Sequence, residues 1–131
     1  MKKNIFSIIF IAYIFLGCGQ LKGEFAYKNT FEDKYRKADR PLELEKNEKI
    51  KWVYIFVNVR EETKIGVVLL KKEIVWVDID SRTEKISPSN KIIYGDIVNL
   101  PDGEYKITLT HSDKIIDELG FSVFTEQEEE Q

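Results

Sequence analysis

"IKWVYIFVNV", residues 50–59, sets the texture of the chain from here to its end. Val53, Ile55, Val57 and Val59 fall on one side of an extended strand, and Ile50, Trp52, Tyr54 and Phe56 on the other. Side chains alternate across a strand, and β-branched and aromatic residues suit its pleated surface. Apolar residues on both sides predict a strand inside a sheet rather than at its edge.

The same period of two continues beyond it. "KIGVVLL" (64–70) follows the polar turn "REET", and "EIVWVDID" (73–80) follows two lysines as the second arm of a hairpin. "KIIYGDIVNL" (91–100) follows "SPSN", "EYKITLT" (104–110) follows "PDG", and "KIIDELGFSVF" (114–124) follows "HSD". Gly120 inside the last run predicts a bulge or bend. Turn signals at this spacing, with no helical period between them, predict an all-β sandwich or barrel over residues 50–125.

One local pattern favours the sandwich. In "LPDGEYKITL" (100–109), Asp102 and Gly103 make a turn, and Tyr105 begins an alternating strand. This resembles the turn-then-tyrosine approach to the penultimate strand of immunoglobulin-like sandwiches, where the tyrosine hydroxyl bonds back to the backbone at the corner. The resemblance spans about residues 98–124 and lacks both core cysteines of antibody domains. It implies a small antiparallel sandwich of the disulfide-free, fibronectin-like kind, with about six to seven strands. A plain meander or small barrel is the alternative.

Upstream, residues 19–49 mix charges of both signs, eight basic and seven acidic between Lys22 and Lys49. Low hydrophobicity with this charge density reads as a tether. As a coil of about 30 residues it spans on the order of 30 Å. Within it, Thr30 and Asp33 have the spacing of a capping box, Phe31 and Tyr35 would share a helix face, and Pro41 would end the helix. The other reading of that island is a loose turn at the domain edge.

The start of the chain, "MKKNIFSIIFIAYIFLGC", has two lysines and then twelve largely apolar residues, Ile5–Leu16. About 20 apolar residues are needed to span a bilayer. Residues 1–17 therefore read as a secretory signal peptide. Cys18, the single cysteine, follows Gly17 directly. An exported protein usually pairs its cysteines or has none, so a lone thiol here points to thioether chemistry. The segment resembles the lipobox of bacterial lipoproteins, with Gly17 at the last position before the cut. It departs at Phe15 and Leu16, and loosened boxes with a Lys-, Ile- and Asn-rich chain are similar to those of spirochaetal lipoproteins. The resemblance implies a diacylglycerol on Cys18, cleavage before it and acylation of the new N-terminus. It places the chain in the cell envelope, more naturally at the outer membrane or cell surface than at the inner membrane.

Without residues 1–17 the chain has 18 basic and 23 acidic residues, a net charge of −5. That balance argues against nucleic acid as a partner, which calls for clustered Lys and Arg. "EQEEEQ" (126–131) reads as a solvated acidic tail.

Chemistry is sparse. His111, in "THSD", has Ser112 and Asp113 beside it in sequence, which does not supply triad geometry. With one His and the Cys consumed by lipid, a zinc site lacks ligands. Asp78, Asp80 and Glu84 loosely follow a calcium-loop spacing, but Arg82 and Thr83 interrupt it. The simpler reading puts Asp78 and Asp80 at the solvent-facing end of a strand. Phosphate-binding and nucleophile-elbow motifs are missing, and no cofactor, metal or small-molecule substrate is expected. Trp52, Tyr54, Phe56, Trp76 and Tyr94 remain as candidates, either as core or as a contact surface for a protein partner. The reading that follows is a non-catalytic lipoprotein presenting a sandwich for protein binding. The alternatives are a structural subunit of an envelope assembly and, more remotely, a hydrolase.

Overall fold

A computed structural model describes residues 20–126. Residues 1–19, which hold the run read as a signal peptide and Cys18, and residues 127–131 lie outside the described residues. The chain folds into nine strands: β1 (Gly23–Asn29), β2 (Arg36–Lys37), β3 (Leu42–Glu45), β4 (Ile50–Phe56), β5 (Thr63–Lys72), β6 (Trp76–Ile86), β7 (Ile92–Ile97), β8 (Gly103–His111) and β9 (Lys114–Phe124). They form two sheets, ordered β2-β1-β4-β7 and β3-β9-β8-β5-β6. The protein is an all-β sandwich.

Six of the strands lie in the region where the alternation predicts them. β4 sits between β1 and β7, an interior position in keeping with its two apolar sides. Trp52, Tyr54 and Phe56 face the opposite sheet and are buried, while Val53 is buried on the outer side between Ala26 and Tyr94. On the facing sheet Ile65, Val67, Tyr105, Ile107, Leu109, Leu119, Phe121 and Val123 complete the core. Tyr54 and Phe56 meet edge to face at 4.8 Å, and Tyr105 stacks on Phe121 at 5.2 Å. Such aromatic pairs contribute beyond their buried area.

The tether reading of residues 18–49 is corrected. Residues 23–45 supply three strands, and Phe25, Leu42 and Leu44 belong to the core. Charge density over a long window conceals two short alternations. In "GEFAYKN", Phe25 and Tyr27 turn inward while Glu24 and Lys28 stay outside, and in "LELE" each Leu is buried and each Glu exposed. β3 has also crossed to the other sheet, where it runs parallel to β9, with Leu42 opposite Phe121 and Leu44 opposite Val123. Residues 30–35 form no helix. Thr30 donates its hydroxyl to the carbonyl of Lys49 at 2.9 Å and closes the β1 end as a turn.

Two local expectations meet different ends. Tyr105 donates its hydroxyl to the carbonyl of Pro101, four residues back, which is the predicted corner. Gly120 makes no bulge and pairs in register with Lys106. The irregularities fall instead at Leu109/Thr110 and at Leu69/Leu70.

Candidate functional site

Of the five aromatic candidates, Trp52, Tyr54 and Phe56 are buried and present no exposed aromatic surface. Their strand is interior and its inward side is closed over by β5, β8 and β9, so the rings are core. Trp76 and Tyr94 are 39% and 60% exposed, but on different sheets. Tyr94 lies on the outer side of its sheet beside Val53. Trp76 lies outward on the other sheet, where the Lys106 ammonium sits 4.5 Å from its ring centre. The five residues therefore do not meet in one surface.

The turn residues are equally dispersed. His111 is exposed at the β8–β9 turn, where Ser112 and Asp113 both take positive φ to reverse the chain. Among the described residues no group of three or more His, Cys, Asp or Glu side chains is placed to hold a metal ion. Asp78 and Asp80 are the third and fifth residues of an eleven-residue strand, so a calcium-loop shape is not available to them.

What the fold does assemble is an open side. β6 ends one sheet, β7 ends the other, and the two lie on the same flank of the sandwich. Between them is a cleft of about 120 Å³ lined by Trp52, Val67, Leu69, Ile97 and Ile107, with Asp80, Arg82, Gly95 and Asp96 at its mouth.

The register explains the polar mouth. Val67 is opposite Arg82 and Leu69 opposite Asp80. Directly opposed residues in an antiparallel pair share a side of the sheet. Val67 and Leu69 point inward, so Asp80 and Arg82 point the same way, where only an open flank can hydrate them.

Arg82 is held from three directions. Its guanidinium donates to the carbonyl of Tyr94 on β7, pairs with Glu84 at 3.4 Å, and lies 6.0 Å from the centre of the Trp52 ring. It bridges the two sheets and shields the indole. Gly95 makes this possible from the other wall, because a Cβ there would sit 2.2 Å from the Trp52 ring. Asp80 and Asp96 have no ion-pair partner among the described residues. Alternation alone did not find this site, because seeing it requires knowing which two strands end their sheets on the same flank. The one sequence signal was the run of charges in "DIDSRTEK", unusual for a strand.

Two neighbouring features extend the flank. Beyond the bulge at Leu69/Leu70, the β5–β6 hairpin carries Ile74, fully exposed, and Val75 at its tip. At the opposite end of the sandwich the chain enters at Gln20, where Asn58 accepts from the Lys22 N–H at 2.9 Å and donates to the Gln20 carbonyl.

No protein-family model and no curated protein matches the chain. Solved structures do resemble it. An immunoglobulin-like protein from Pseudomonas aeruginosa matches 81% of this chain and 93% of its own, at 14% identity and a TM-score of 0.49. A candidate lipoprotein from Bacillus anthracis matches 75% and 77%, at 14% identity and a TM-score of 0.43.

Proposed function

We propose that this chain is a lipoprotein of the bacterial cell envelope, modified on Cys18 and cut before it, whose sandwich binds a protein partner and catalyses nothing. The observation that carries the reading is the place of the only cysteine. It follows the apolar run Ile5–Leu16 and Gly17, and it stands two residues before Gln20, where the domain is already fastened to Asn58. As the single cysteine it has no second cysteine in the chain to pair with.

Two acyl chains suffice for stable anchorage, each buried CH₂ contributing about 0.8 kcal/mol. Attachment then needs nothing from the folded domain, whose surface is free for recognition. The link is short: with β1 beginning at Gly23, only a few residues separate the acylated cysteine from the sheet. The outer membrane or cell surface is the favoured location.

The test is labelling of the native organism's protein with palmitate, followed by mass analysis of the N-terminal peptide. Label on a chain that starts at Cys18, lost in Cys18→Ser, supports the reading. A native chain that begins at Met1 or carries a free thiol at position 18 overturns it.

A further inference from the structure

We infer that the flank between β6 and β7 takes an extended segment of a protein partner in which an apolar side chain is flanked by lysine or arginine. The inference rests on the protein-binding reading above and gives it a surface and a chemistry. Three observations converge there.

First, both strands end their sheets with no strand beyond them among the described residues, so each offers backbone groups to a partner, except the Tyr94 carbonyl, which Arg82 already occupies. An added strand satisfies such an edge, and pockets for alternate side chains supply the selectivity. Second, the cleft between the edges is apolar within and of about 120 Å³. A dry apolar cavity of about 150 Å³ holds benzene. The space therefore matches one branched aliphatic or aromatic side chain, set against Val67, Leu69, Ile97 and Ile107.

Third, the mouth is acidic. Arg82 is already matched by Glu84. Asp80 and Asp96, both at the mouth, make no ion pair among the described residues. A segment with cations beside its apolar anchor meets that surplus, and one with carboxylates is repelled. Charge across an interface sets partner choice and register in this way.

The experiment uses the full-length protein in neutral detergent micelles, with isotope-labelled backbone amides. Two heptapeptides are the probes, one alternating Lys with Val, Phe and Val, the other carrying Glu in place of Lys. The expected result is amide shifts along Asp78–Arg82 and Tyr94–Ile97, with the Lys peptide bound about tenfold more tightly at low salt. Asp80→Lys with Asp96→Lys, both at exposed positions, should reverse the preference, and Asp80→Asn with Asp96→Asn should abolish it.

Equal affinity for both peptides overturns the inference, as do shifts confined to the C-terminal glutamates. Protection of the same amides by dimerisation also overturns it, since the occupant is then a second copy. The N-terminal mass of the same sample reads the anchor separately, so failure of the cleft and failure of lipidation are distinguishable.

Discussion

The hydroxyl of Tyr54 on β4 donates across the sandwich to a carboxylate oxygen of Asp117 on β9, at 3.2 Å. The other oxygen of Asp117 accepts from the Glu118 N–H at 2.8 Å. Sixty-three residues of chain separate the partners, so the bond ties the two sheets together. Burial, and then the neighbouring Asp117 charge, push the Tyr54 hydroxyl far above the ordinary tyrosine range.

That elevation makes the protein sensitive to alkali. A group whose pKa is raised on folding contributes stability below its unfolded value, about 10 for tyrosine, and the contribution is lost as pH rises towards the folded value. Tyr54→Phe should cost about 1.5 kcal/mol at neutral pH through the lost bond to a charged acceptor. It should also flatten the fall in stability above pH of about 10. Urea unfolding at a series of alkaline pH values measures both.

Phe25→Ala and Leu44→Ala test whether residues 23–45 belong to the core. Each removes a buried side chain, and losses of about 3–5 and 2–5 kcal/mol are expected. A tether would tolerate both without measurable change. Thermal unfolding decides the matter, and a chain begun at Ile50 should fail to give a cooperative transition.

Gly95→Ala probes the wall of the cleft. The new methyl would lie 2.2 Å from the Trp52 ring, so the indole or β7 must move. Overpacking of this kind costs about 1–3 kcal/mol. Displacement of the indole should also shift Trp52 fluorescence, best read in a Trp76→Phe background.

Glu118 contributes to the acid limb. Partial burial opposes its charge, but hydrogen bonds from Thr108 at 2.8 Å and Lys106 at 3.1 Å outweigh that and hold its carboxyl below the usual range. A depressed carboxylate contributes stability above its unfolded value, and loses it as pH falls through the folded one. Thr108→Val with Lys106→Met should therefore weaken the dependence of stability on pH below about pH 4.3. Circular dichroism during acid titration checks this.

Legibility in the sequence followed range. The corner at Tyr105 was readable because donor and acceptor are four residues apart. β4 was readable because its two apolar sides state its interior position without reference to any partner. Phe25, Leu42 and Leu44 were missed because a window wide enough to count charges averages away alternations only four to seven residues long. Burial of the Trp52 stripe against exposure of Trp76 and Tyr94 was not readable, since strand order decides it. For the same reason Asp80, read with Asp78 as the solvent-facing end of a strand, is instead at the mouth of a cleft.

Asn58 has a consequence that reaches past stability. It grips the backbone at both Gln20 and Lys22. On the proposed lipoprotein reading, one residue, Gly19, separates the acylated Cys18 from Gln20, and the reach of the domain above the head groups would be close to its own length. Eleven residues of β6, at about 3.3 Å each, give roughly 35 Å. On that reading a docking molecule would have to come down to the bilayer's immediate neighbourhood.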